Sequence, residues 1–85
     1  MQLLRLPSVK TETGYKADAS IYNAIRDGLF TRGVAIDQRS RAWPLNEIHA
    51  INSARIAGKS DAEIRELVKA LHAKRVDPAN ALATV

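Results

Sequence analysis

Apolar residues recur at helical spacing in several separate stretches of the chain, and polar residues and glycines divide these stretches. In the first stretch, Pro7 or Ser8 can open a short helix, and Gly14 can end it in the left-handed backbone region. Val9 and Tyr15 would then face inward. The pattern predicts a helix of two turns.

A second helix is predicted to begin at Asp18, whose side chain is well suited to accept hydrogen bonds from free amides of the first turn as an N-cap. Gly28 is placed to close this helix. One face is apolar at helical spacing, through Ile21, Ala24 and Ile25. Two short helices joined by a turn that contains Gly14 have the spacing of a helix-turn-helix.

The helical spacing of apolar residues is interrupted over residues 33–43. Val34 and Ile36 precede a polar turn of residues 37–40, and residues 41–43 follow it. β-Branched residues beside a polar turn predict a small hairpin. Because a lone hairpin is marginal in water, it must pack on the helices, and Trp43 is the predicted anchor.

Two further helices are predicted after the hairpin. Pro44 suits the first position of one of them, and Gly58 stops it. Ser60 and Glu63 form a capping box that opens the other helix, which runs from Asp61 to about Arg75. Its apolar stripe contains Ile64, Leu67, Val68 and Leu71. Pro78 prevents much continuation, so we expect a flexible tail over residues 77–85.

Composition places the chain among globular proteins and excludes several classes. Its 85 residues allow one domain, and it has no cysteine for a disulfide, a thiolate catalyst or a Cys-based zinc site. The apolar runs are far shorter than the roughly 20 residues that a membrane span needs. The first five residues lack the layout of a signal peptide. We therefore expect a cytoplasmic protein without a membrane partner.

The residues give little material for catalysis. Only His49 and His72 could exchange protons near neutral pH; they lie on different predicted helices, and neither has a metal ligand three or four positions on. The four glycines are scattered and form no phosphate-binding loop. We expect no enzymatic activity, metal, cofactor or small-molecule substrate.

Basic charge and polar side chains favour an anionic partner instead. The net charge is +4, and residues 1–41 carry +3 of it. Hydroxyl, amide and guanidinium groups, which bond base edges and phosphates, would project from the second helix and the turn before it: Lys16, Ser20, Tyr22, Asn23 and Arg26. The hairpin adds Arg32 at its root and Gln38, Arg39, Ser40 and Arg41 at its tip. The alternative is a solvated face beside a solvated turn.

These stretches also carry a resemblance to a known family. Residues 5–9, 13–15 and 20–30, followed by a short hairpin that ends at Trp43 and a helix that begins near Pro44, resemble the AlpA family of phage and prophage regulators. The resemblance covers residues 5–56. The sequence departs from the family pattern in two places. Thr31 follows Phe30 where proline is usual, and the segment from Gly14 to Tyr22 is one residue longer than in the family.

The resemblance implies a winged helix-turn-helix related to the DNA-binding domains of MerR proteins and excisionases. Together with the predicted elements, it leads us to expect a mostly α fold with a two-stranded wing and two additional C-terminal helices. The expected domain spans residues 1–76, with the helix-turn-helix and wing at 5–44 and supporting helices at 44–76. The second-helix residues would enter the major groove, and Arg39, Ser40 and Arg41 would form the wing tip.

The expected function is sequence-specific binding of double-stranded DNA by a transcriptional regulator of phage or mobile-element origin. Two alternatives stay open: an excisionase-like architectural factor, and a protein-interaction adaptor that binds through the last helix. The apolar stripe of that helix can pack within the monomer or against a second subunit. We expect intramolecular packing in free solution, with homodimers or larger cooperative assemblies forming on DNA.

Overall fold

The fold consists of four helices and one small antiparallel sheet. A computed structural model describes residues 2–83, and side chains over residues 2–75. In chain order the elements are β1 (Leu3–Arg5), α1 (Leu6–Thr13), α2 (Asp18–Arg26), β2 (Val34–Ala35), β3 (Arg41–Pro44), α3 (Leu45–Ile56) and α4 (Asp61–Ala83). The predicted mostly α class is confirmed. The succession of two short helices and a hairpin is compatible with a winged helix-turn-helix.

The turn between α1 and α2 depends on one glycine. Gly14 has a φ of 84°, in the left-handed region, and its amide donates to the carbonyl of Lys10 at 2.9 Å. Across the turn, the Lys10 ammonium pairs with the Asp18 carboxylate at 2.7 Å. The N-cap position belongs to Ala17, so the prediction that Asp18 caps α2 is wrong. Asp18 is instead the first helical residue, where its carboxylate faces the cation on α1.

The sheet has three strands where the sequence predicts two. Its order is β1-β3-β2, with both pairings antiparallel, so β3 lies in the centre. Leu4 pairs with Trp43, and Val34 pairs with Ala42. The predicted hairpin is present as β2 and β3, and the correction is that β1 adds a third strand. Sequence reasoning missed β1 because three residues without a β-branched side chain give no local strand signal, and their partners lie far along the chain.

Pro44 ends β3 instead of opening α3. It pairs with Leu3 and has extended backbone angles, φ −61° and ψ 130°, so α3 begins one residue later than predicted, at Leu45. The predicted closing position of α3 is confirmed, since Gly58 follows the helix with a positive φ.

Trp43 anchors the hairpin in the core, as predicted. Its side chain is fully buried, and its indole N–H donates to the carbonyl of Thr31 at 2.9 Å. Gly33 packs so closely that a Cβ there would lie 3.0 Å from the indole ring. Buried side chains from all four helices and the segment after α2 complete the cluster: Val9, Ile21, Ala24, Phe30, Ile48, Ile51, Ile64, Val68 and Leu71.

The capping box of α4 is confirmed. The Ser60 amide donates to a Glu63 carboxylate oxygen at 3.0 Å, and the Glu63 amide donates to the Ser60 hydroxyl at 3.2 Å. The predicted end of this helix near Arg75 is wrong, because α4 continues to Ala83. Pro78 lacks an amide hydrogen and so removes one helical bond, but it does not end the helix. Residues 84–85 of the expected tail lie outside the described residues.

Candidate nucleic-acid interface

The outward face of α2 carries three polar side chains at helical spacing. Tyr22, Asn23 and Arg26 are exposed, whereas Ile21 and Ala24 on the opposite face are buried. Positions three and four apart share one side of a helix, so Tyr22 and Arg26 lie one turn apart, with Asn23 beside them. These three groups from the predicted set therefore form one accessible surface.

Ser20 does not lie at the centre of that surface. It is half-buried at the edge of the core-facing side, and Ala19 occupies the exposed position one turn before Asn23. Lys16 is exposed in the turn that precedes α2. The structure thus places Lys16 at the entry of the helix and Ser20 at its flank.

A shallow groove joins α2 to the wing and to the start of α1. Its walls bring together four members of the predicted set, Tyr22, Arg39, Ser40 and Arg41, and four residues outside that set, Arg5, Leu6, Pro7 and Trp43. The Tyr22 ring meets the Trp43 ring edge-on, with 6.5 Å between centroids. This aromatic contact holds the exposed face of α2 against the buried anchor of the wing.

An aspartate shapes the wing tip. A carboxylate oxygen of Asp37 accepts the amides of Arg39 at 2.9 Å and Ser40 at 2.7 Å, and these two bonds lower the pKa of the Asp37 carboxyl. The Ile36 amide closes the turn on the carbonyl of Ser40 at 3.1 Å. Because the carboxylate is occupied by backbone amides, the exposed side chains of Gln38 and Arg39 extend from an ordered turn.

Arg5 is the site residue that sequence reasoning missed. Its guanidinium donates to the Ser40 hydroxyl at 3.3 Å, and it lines the groove beside Arg39 and Arg41. The pairing of Arg5 with Ala42 in the sheet brings it there. The only available signal was its charge, since the strand that positions it has no local pattern.

Arg32 contacts α4 rather than lining this groove. Its backbone amide donates to His72 Nε2 at 3.2 Å, and its guanidinium lies 3.2 Å from His72 Nδ1. Burial and the nearby charges of Arg32 and Arg75 lower the pKa of His72, which favours the neutral ring that can accept the amide hydrogen. The root of the wing is therefore attached to the last helix.

A buried ion pair reinforces that attachment. Arg75 donates through Nε to one Glu47 oxygen at 2.7 Å and through Nη2 to the other at 2.5 Å. Its Nη2 also donates to the Arg32 carbonyl at 2.8 Å. Glu47 is 3% exposed, so this arrangement joins α3, α4 and the wing root inside the fold. Sequence reasoning named Arg75 only as the approximate end of the last helix.

The histidines and the helices of the described residues bear on metal ligation and membrane insertion. Within it, no three His, Asp or Glu side chains are grouped as metal ligands would be. His49 is exposed on α3, whereas His72 contacts Arg32. No helix among the described residues has the length and apolar character needed to cross a membrane.

Comparison with known proteins gives one match. Residues 2–56 match the family described as prophage CP4-57 regulatory protein (AlpA). This stretch includes β1, both short helices, the wing and α3. No curated protein and no solved structure matches the chain.

Proposed function

The chain belongs to the prophage regulatory protein (AlpA) family, and from this premise we propose that it binds a specific sequence in double-stranded DNA and regulates transcription of a phage or mobile element. The exposed Tyr22, Asn23 and Arg26 surface next to the arginine-lined groove is the observation that carries the proposal.

The helix surface has the chemistry of a base reader. The major groove of B-DNA is about 12 Å wide and admits one helix. In it, an asparagine amide can bond adenine through two contacts, and an arginine guanidinium can bond guanine. Asn23 and Arg26 supply these two groups, and the Tyr22 hydroxyl can bond a base or a phosphate.

The wing has the chemistry of a backbone contact. Arg39 and Arg41 are exposed, and Asp37 fixes the turn that presents them. Lysine and arginine contacts to phosphates supply most of the sequence-independent affinity for DNA. We therefore assign base reading to α2 and phosphate contacts to the wing.

The apolar stripe of α4 is not available to the partner of an adaptor. Three residues of the apolar stripe, Ile64, Val68 and Leu71, are 1%, 4% and 7% exposed because α4 packs on the chain's own core. The same burial favours a folded monomer in solution, with cooperative assembly on DNA as the route to longer recognition sites. A non-enzymatic role fits the regulatory family.

Selection of bound duplexes from a random library tests the proposal. We expect one enriched motif for the wild-type chain and for a control, Lys69→Ala, which removes a cation on α4 that is 77% exposed. Asn23→Ala should retain binding but lose part of the motif. Enrichment of no motif by the wild-type chain would contradict sequence-specific binding.

The salt dependence of the affinity provides a second readout. If about 4–6 cations meet phosphates, the slope of log affinity against log salt should be about −4 to −5. A flat slope would show that contacts to phosphates do not contribute to the affinity.

A reporter gene placed beside the selected motif separates a regulator from an excisionase-like factor. Only a regulator changes transcription of the reporter in the absence of a recombinase.

A further inference from the structure

We infer that the groove between α1, α2 and the wing binds one phosphodiester of the DNA backbone, and that Arg5 is a ligand of that phosphate. The inference rests on the proposed function and adds to it a defined anion site and a residue outside the predicted interface. Arg5, Arg39 and Arg41 all line this groove.

The residues that line the groove include three cations. None of the residues that line it is acidic. Within residues 2–75, several other cations pair with carboxylates, whereas none of these three arginines lies within 4.0 Å of one. Guanidinium groups that share one groove repel each other, and an anion between them removes that repulsion.

Asp37, an acid outside the groove lining, makes its hydrogen bonds within the wing tip. Asp37 lies close enough to Arg5 for the guanidinium charge to contribute to its lowered pKa, but its oxygen accepts the amides of Arg39 and Ser40. Asp37 thus orders the wing tip without filling the groove. Its single negative charge offsets part of the positive charge of the three arginines, and the remaining charge can attract an external anion.

Hydroxyl groups also line the anion site. The Ser40 hydroxyl accepts from Arg5 at 3.3 Å and also hydrogen-bonds the Asp37 carboxylate, so the hydroxyl available to donate to a bound anion is that of Tyr22 on α2. Tyr22 belongs both to the exposed face of α2 and to the groove. A phosphate bound here would therefore adjoin the bases that α2 reads and would fix how the helix is seated.

A methylphosphonate scan combined with variants of Arg5 tests this site. In the selected duplex, each phosphate is replaced in turn by a neutral methylphosphonate, and affinity is measured for the wild-type chain, Arg5→Ala, Arg5→Lys and the control Lys69→Ala. Circular dichroism and thermal unfolding confirm that each variant is folded. Arg5 is exposed, so truncation of its side chain leaves the core intact.

We expect Arg5→Ala to weaken binding about tenfold and to shallow the salt slope by about one unit. One methylphosphonate position should weaken the wild-type and control proteins but have no further effect on Arg5→Ala. Arg5→Lys should retain sensitivity at that position, because it keeps the charge. Such coupling to one phosphate would not arise if Arg5 only held the wing through Ser40.

The opposite results are distinguishable. If Arg5→Ala binds as tightly as the wild-type chain, or remains as sensitive as the wild type at every phosphate, the anion site is refuted while DNA binding stands. If the wild-type chain selects no duplex, the proposed function fails, and the phosphate site fails with it.

Discussion

Replacing Arg75 with methionine should destabilise the fold far more than an ordinary helix substitution. The guanidinium of Arg75 meets both carboxylate oxygens of Glu47 and the Arg32 carbonyl. Arg75→Met keeps a long apolar side chain but removes all three bonds. The Glu47 side chain, 4% exposed, would then have neither its cation nor access to water.

Burial of the pair determines how much stability is lost and which of the two single substitutions costs more. Removing one partner of a buried ion pair costs about 3–5 kcal/mol, and we expect about 3 kcal/mol here because the Arg75 side chain is 20% exposed. A chain of this size has about 4–13 kcal/mol of stability in total. Glu47→Leu should cost less than Arg75→Met, since Arg75 can still donate to the Arg32 carbonyl and reach solvent. The double variant should recover much of the loss, because no buried charge is left unpaired.

Urea unfolding followed by Trp43 fluorescence measures these free energies. We expect the order wild type, double variant, Glu47→Leu and Arg75→Met, from most to least stable. A free energy of unfolding for Arg75→Met within about 0.5 kcal/mol of the wild type, the range of a neutral surface change, would refute the claim that the pair stabilises the fold.

Three other substitutions test the packing, the pH dependence and the cap. Trp43→Ala should cost about 3–5 kcal/mol, and native wild-type emission should be blue-shifted; red-shifted native emission would contradict burial of the indole. Since the folded pKa of His72 is lowered, the unfolded chain binds the proton first, so stability should fall as pH drops below the ordinary value of 6.5. Urea midpoints measured across this pH range for the wild type and His72→Gln check this. If the midpoint changes equally with pH in both proteins, His72 is excluded as the cause. Ser60→Ala should cost about 1 kcal/mol by urea unfolding, and no change would mean that the cap is dispensable.

Features with a local signal could be predicted from the sequence. Gly14 separates α1 from α2 because the left-handed conformation favours glycine, and Ser60 and Glu63 mark the start of α4 within four residues. The polar turn of residues 37–40 predicts the hairpin. Each signal lies within the element that it predicts.

The missed features depend on residues distant in sequence. β1 forms because β3 supplies its partners, and that pairing alone carries Arg5 to the wing. Asp18 has the chemistry of a cap, yet Lys10 on the preceding helix takes its carboxylate. The contact of Glu47 with Arg75 likewise joins two helices whose packing no local pattern specifies.

The central claim is that α2 reads bases while the wing contacts the backbone, and base preferences measured for two variants test it most directly. Affinities of Asn23→Ala and Arg41→Ala are measured for every single-base change of the selected motif. We predict that Asn23→Ala loses about 1–3 kcal/mol of preference at one position, whereas Arg41→Ala weakens all sequences alike. If both variants weaken all sequences equally and leave every base preference intact, α2 is not the reader.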